Sequence, residues 1–249
     1  MQLYNTIIDE IIAFRALKAA ASELKELTFS NHHPWPAAGD RNLVLQSDMA
    51  VELGNPANES LSFSIWTENS DAVTDNRITL IGPDIPGSEG TRLPFGKIVL
   101  IEGSGFDEDN AYDRLREIDL VRFDISLRGY MMRAASRYMR EWSRISKSAV
   151  EDGFSFSVLG SALIKELKKI DYIKSVEVIL VTSTDEDVAS LKPIASQVGK
   201  INSAMTKMME ETSLDCDECE YNDVCDDVSE LRAMHQAMRE KEKTGHAYH

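Results

Sequence analysis

Apolar residues recur at Leu3, Ile7, Ile11, Phe14, Leu17, Leu24 and Leu27, with Asp9, Glu10, Arg15, Lys18 and Glu23 off that face. This spacing places the apolar set on one helical face and predicts an amphipathic helix from Leu3 to Leu27. The segment from Ser30 to Pro36 then breaks the pattern with Pro34 and Pro36, which cannot continue a helical hydrogen-bond ladder. Such a helix either packs on the core or, set apart by the break, meets a second copy or a partner helix. His32 and His33, beside those prolines, read as surface loop residues.

Beyond the break the period becomes strand-like. Leu61 to Trp66, Arg77 to Ile81 and Lys97 to Ile101 are short apolar runs, the last two closed by Gly82-Pro83 and Glu102-Gly103, and they predict strands of one sheet. From Asp107 to Gly153 the pattern reads as helical, with Asp107-Glu108 as its start and Gly153 as its stop. A helix from Ser157 to Lys169, a buried strand from Ser175 to Thr182, and a helical stretch from Asp185 that breaks near Pro193 and resumes to Glu211 follow. The expected fold is α/β: a mixed sheet flanked by helices, with the amphipathic helix in front and a cysteine-bearing loop followed by a helix behind. Three segments are expected, residues 1–40, 41–212 and 213–249.

Length and charge narrow the function. A chain of 249 residues that is 43% hydrophobic has enough apolar side chain for a sizeable core. No run approaches the roughly 18 apolar residues of a spanning helix, and the N-terminus lacks a signal-peptide pattern, so a cytoplasmic location is expected. A formal charge of −15 opposes binding to nucleic acid or anionic membrane, leaving proteins and small molecules as partners. Gly82, Gly87, Gly90, Gly96, Gly103 and Gly105 have neither Rossmann nor P-loop spacing and read as turn glycines. No hydrolase elbow or zinc-protease motif is present.

The only three cysteines, Cys216, Cys219 and Cys225, fall in one acidic segment. An odd number of thiols gathered in one loop reads as a metal or iron–sulfur ligand set rather than a disulfide framework. Cys-x2-Cys closely followed by a third cysteine lets one loop wrap a cluster face. Three thiolates hold three irons, so a four-iron cluster would take its fourth ligand from another side chain, a partner chain or a small molecule. His235 and His246 are the candidates in reach, although a lone histidine on a charged helix is commonly a solvated residue. Zinc competes, because three cysteines and one histidine form a closed structural zinc site; so does a plain solvated loop. The flanking Asp215, Asp217, Glu218, Glu220, Asp223, Asp226 and Asp227 disfavour an anionic cluster and would favour a basic docking partner.

Arg133, Arg137, Arg140 and Arg144 recur at steps of three and four. On the predicted helix they would form one positive stripe, able to grip a coenzyme A phosphate or an acidic partner. Pairing with neighbouring carboxylates inside the fold is the competing use.

Several phrases, taken in order, resemble the acetyl-CoA synthase family, the beta subunit of the carbon monoxide dehydrogenase/acetyl-CoA synthase complex. They are Ile81-Gly-Pro-Asp-Ile85, Pro94-Phe-Gly-Lys-Ile-Val-Leu-Ile-Glu-Gly103, Trp142-Ser-Arg-Ile-Ser-Lys-Ser-Ala149 with Gly153-Phe154, and Val176 to Thr182. The resemblance implies that residues 41–212 form the family's α/β domain and that Cys216, Cys219 and Cys225 belong to its iron–sulfur centre, with a tighter final spacing. The family's nickel site also uses a fourth cluster cysteine and a downstream Cys-Gly-Cys, and this sequence has neither. A complete nickel centre is therefore not expected within this chain.

The expected function is that of a truncated beta-subunit-like protein carrying a 4Fe-4S cluster. It would act in electron transfer or docking within an anaerobic multi-protein complex, beside a corrinoid or redox protein, with self-association through the N-terminal helix. A zinc-stabilised scaffold is the alternative, as is a nickel–iron–sulfur acyltransferase centre completed by another subunit.

Overall fold

The computed structural model describes residues 2–30, 35–39, 42–85, 92–136, 140–210 and 219–245. In chain order the elements begin α1 (Asn5–Ala20), β1 (Leu24–Leu27), β2 (Met49–Leu53), β3 (Ser60–Thr67), β4 (Arg77–Ile81), β5 (Arg92–Leu93) and β6 (Phe95–Gly103). They continue with α2 (Ala111–Asp124), β7 (Tyr130–Ser136), β8 (Arg140–Ser146), α3 (Lys147–Glu151), α4 (Phe156–Leu167) and β9 (Ile173–Val181). The last four are α5 (Asp185–Ser190), α6 (Lys192–Glu210), α7 (Asn222–Asp227) and α8 (Ser229–Gly245).

Two mixed sheets form the α/β body. The larger has strand order β1-β4-β9-β6-β3 and the smaller β5-β2-β8-β7. In the larger, β3 runs parallel to β6 and β4 parallel to β9, while β6 and β9 are antiparallel. The apolar runs from Leu61, Arg77, Lys97 and Ser175 fall in β3, β4, β6 and β9 of this one sheet. Every residue of β6 is buried. A strand covered on both faces shows no polar alternation, which is why it reads as a continuous apolar run. Helix α4 lies against β4 and β9, and its close approach depends on Gly160, where an added Cβ would stand 2.9 Å from Cγ2 of Ile78.

The predicted helix from Leu3 to Leu27 is shorter than its apolar pattern. It ends at Ala20, Ser22 takes a φ of 59°, and residues 24–27 become β1, an edge strand paired antiparallel to β4. A left-handed residue terminates a helix, so Leu24 and Leu27 belong to a sheet. Ile7, Ile8 and Ile11 are buried, each worth roughly 1.5–3 kcal/mol, and α1 packs on α6 and β1. Leu3, Ile7 and Ile11 of the face that periodicity offered for self-association are thus buried within the chain, whereas Leu17 on the same face is 68% exposed. Wholly buried Glu177 of β9 ties α1 down, accepting from Arg15 of α1 and, at 2.6 Å, from Arg77 of β4.

The stretch from Asp107 to Gly153 is not one helical region. After α2 the chain forms β7 and β8, paired antiparallel. The inward positions of β8 carry polar Glu141 and Ser143 beside Ile145, all buried, so the strand lacks an apolar/polar alternation. The arginine stripe is corrected with it: Arg133, Arg140 and Arg144 sit on two strands, not on one helix face.

Candidate functional site

The described cysteines lie at the C-terminal side of the body, where α7 and α8 pack on α6 and on each other. Buried Val224 of α7 and Leu231 and Met234 of α8 belong to the same apolar core as Ala204, Met205 and Met208 of α6. Cys219 precedes α7, its carbonyl accepting from the Asn222 amide at 3.1 Å, and Cys225 lies within α7, its amide donating to the Tyr221 carbonyl at 3.0 Å. Both thiols are free of disulfides and partly buried.

Between α6, α7 and α8 is a cavity of about 130 Å³. Cys219, Cys225 and His235 all line it, with Ala204 and Met208 forming part of its apolar wall. The sequence separates Cys219 from His235 by more than four helical turns of chain, and the break between α7 and α8 brings them to one space. His235 is only 7% exposed, which corrects the expectation of a solvated histidine. Burial, and then the Arg239 guanidinium, push its imidazole below the usual histidine range. Both causes favour the neutral ring.

Among the described residues the cavity wall also carries cations. Lys207, Arg232 and Arg239 line it. Lys207 reaches Glu220 at 3.3 Å, and Arg232 pairs with Asp226 and donates to Asn222 at 3.3 Å. Two of the three cations lining the thiol-bearing space are thus paired with carboxylates of the acidic segment.

Thiol and imidazole are the donor types that iron–sulfur clusters and zinc take, so the residues present fit such a group chemically. Among the described residues no three of His, Cys, Asp and Glu already stand as a metal-holding group. Cys216 and His246 lie outside the described residues.

The arginines predicted to meet coenzyme A or a partner divide by environment. Buried Arg144 donates to Glu52 at 2.8 Å and to Gln46 at 2.9 Å, an internal pairing. Exposed Arg133 lies 5.0 Å from the centre of the Trp142 ring, within cation–π range. Arg140 is exposed at the start of β8, and Arg137 falls outside the described residues. No described helix is long and apolar enough to cross a membrane.

A family model described as the CO dehydrogenase/acetyl-CoA synthase complex beta subunit matches residues 37–188, more than half of the chain. The chain belongs to this family. The matched region covers both sheets apart from β1 and stops within α5, before the thiol-lined cavity. The acetyl-CoA decarbonylase/synthase complex subunit beta of Methanopyrus kandleri is 31% identical over 173 residues, 68% of this chain and 35% of that protein. A subunit beta 1 of the same complex from Methanocaldococcus jannaschii is 27% identical over 216 residues, 86% of this chain and 27% of that one. The carbon monoxide dehydrogenase/acetyl-CoA synthase subunit alpha of Moorella thermoacetica is 33% identical over 129 residues, 51% of this chain and 17% of its own length. The chain spans about a third of the length of the first curated beta-subunit relatives it matches.

Proposed function

We propose that this chain acts in a multi-protein assembly of the kind its relatives are named for, as a docking and electron-transfer part that holds a 4Fe-4S cluster through Cys216, Cys219 and Cys225. The observation that carries this reading is the single cavity lined by Cys219, Cys225 and His235. Such a cluster supplies one-electron transfer when bound. In this reading Cys225 is presented by α7 and Cys219 by the turn before it, Arg239 of α8 lines the same space, and the two sheets form the scaffold for a redox or corrinoid partner. Exposed Arg133 and Arg140 beside Trp142 offer a positive contact for a coenzyme A phosphate or an acidic protein, while Arg144 stays with Glu52.

Zinc is the second reading, favoured by the imidazole in the same cavity, since three thiolates and one histidine close a structural zinc site. The protein would then be a scaffold without redox chemistry. Metal and acid-labile sulfide analysis, with absorption and electron paramagnetic resonance spectra, decides between them. It is done on protein purified without oxygen, for the wild type, Cys219→Ala and Cys225→Ala. About four irons and four sulfides, lost in both variants, are expected. One zinc without sulfide sinks the iron–sulfur reading; nickel found only after purification with a partner points to a centre shared between subunits.

A further inference from the structure

We infer that the outer face of the β7–β8 pair, with the segment from Asn42 to Ser47, docks an acidic segment of a partner protein that carries apolar side chains among its carboxylates. The inference rests on the docking part of the reading above and does not require the cluster. This face reverses the charge of the chain. Against a formal charge of −15 for the whole, residues 42–47 and 130–147 contain one carboxylate, Glu141, and that one is buried against Lys97. Arg133, Arg140 and Lys147 of the same stretch are exposed.

Side chains alternate between the faces of a strand. Glu141 meets Lys97 and Ser62 of the larger sheet, so its neighbour Trp142 points away from that sheet. The Trp142 ring lies between two guanidinium groups, Arg133 at 5.0 Å and Arg144 at 5.9 Å. Arg144 in turn donates to Gln46 at 2.9 Å, and Lys147 donates to the Ser47 carbonyl at 2.9 Å. At the other end of the segment Asn42 donates to the carbonyls of Leu127 and Tyr130 and accepts from the Gly129 amide at 3.0 Å. The segment is thereby pinned at both ends to the β7–β8 pair. Val44 is buried beneath it, and Leu43 and Leu45 turn outward, 64% and 51% exposed.

Exposed leucine beside arginine and a half-buried tryptophan is the composition of a contact surface, in which Trp and Arg are enriched and carboxylates depleted. Charge selects the occupant. Like charges set against each other across an interface are costly, which excludes a basic partner. In a two-fold contact between copies the same patch meets itself, so a second copy would oppose Arg133 and Arg140 with an equal set. A coenzyme A phosphate would use the guanidinium groups but leave Leu43 and Leu45 uncovered. The register shift between Met132 and Ala134 interrupts the edge of β7, so the partner meets the face rather than adding a strand.

The test is fluorescence anisotropy with a labelled peptide of alternating Glu and Leu, its Lys-Leu counterpart, and coenzyme A as a separate ligand. Iron and sulfide are counted on the same samples. The proteins are the wild type, the pair Arg133→Glu with Arg140→Glu, the pair Leu43→Ser with Leu45→Ser, and Leu17→Ser as an exposed apolar position elsewhere, all matched by circular dichroism and melting temperature. The acidic peptide is expected to bind the wild type, more weakly as salt is raised, and to bind each double variant about tenfold or more weakly. Leu17→Ser should bind as wild type does, and the Lys-Leu peptide should not bind. Iron-loaded wild type that ignores the acidic peptide overturns the inference and leaves the cluster reading standing; binding by iron-free protein does the reverse. Equal binding of both peptides, or binding unchanged in either double variant, also overturns it. Coenzyme A bound where the acidic peptide is not gives the face to a small ligand, and dimerisation of the wild type that the leucine pair abolishes gives it to a second copy; either result overturns the inference.

Discussion

Lys97 of β6 donates to Glu141 of β8, a buried ion pair that joins the two sheets. Glu141 also accepts from Tyr130 at 3.0 Å and Ser62 at 3.1 Å, and Ser62 is the register partner of Lys97 on β3. Removing one member of a buried pair leaves the other charge uncompensated, at a cost of about 3–5 kcal/mol. Lys97→Met is expected to lose about that much stability, and Lys97→Met with Glu141→Gln to regain more than half of it. Denaturant unfolding of the three proteins measures this; a single variant within about 1 kcal/mol of wild type would show that the pair is not what fastens the sheets.

Acid should loosen the same contacts. Burial alone would raise the carboxyls of Glu141 and Glu52, but Lys97 overrides it in the first and Arg144 in the second, and both are held below their ordinary value of 4.5. A carboxyl depressed in the native state contributes stability that is whole above its unfolded pKa and is lost as pH falls through its native one. Melting temperature should therefore stay level through these groups' range down to about pH 4.5 and fall below it. In the Lys97→Met, Glu141→Gln protein the acid slope should be shallower. An unchanged slope would assign acid sensitivity to other groups.

Arg15→Ala should free α1 without opening the sheet, because Glu177 keeps Arg77 at 2.6 Å. Losing a hydrogen bond to a charged group costs about 1.5–3 kcal/mol. Hydrogen exchange should quicken by about tenfold or more in α1 while β6 and β9 keep their protection. Equal quickening in all three would mean that α1 and the sheet open as one unit.

At Gly160 two opposing magnitudes can be compared. Alanine would add about 1 kcal/mol of helix propensity, but its Cβ would press on the side chain of wholly buried Ile78 at 2.9–3.0 Å, and overpacking costs about 1–3 kcal/mol. Gly160→Ala is expected to destabilise the wild type and to be neutral or stabilising in an Ile78→Ala background. Thermal melts of the four proteins give the sign in each background.

The strands most legible in the sequence are those buried on both faces. In β6 and β9 burial on both sides makes the apolar run continuous. The β7–β8 pair was hidden because Glu141 and Ser143 occupy inward positions that an alternating pattern would fill with apolar residues, while the arginine spacing mimicked a helix. In α1 the apolar period runs past Ala20 into Leu24 and Leu27, and the left-handed turn at Ser22 carries no glycine to announce it. That Cys219 and Cys225 share one space was legible in their close spacing. The depth of His235 was not, since α8 meets residues distant in sequence on α6, and the other lining residues of its helix, Arg232, Gln236 and Arg239, are exposed and polar.

The position of α7 and α8 on α6 also orders events during synthesis. Chains emerge from the ribosome N-terminus first and domains fold as units, so all nine strands of the two sheets are available before Cys219, Cys225 and His235 have been made. The body can therefore close while α7 and α8 are still being translated. Under the proposed cluster reading, cluster assembly becomes a late step on an already folded platform, and iron starvation is expected to leave apo-protein that keeps its sheets.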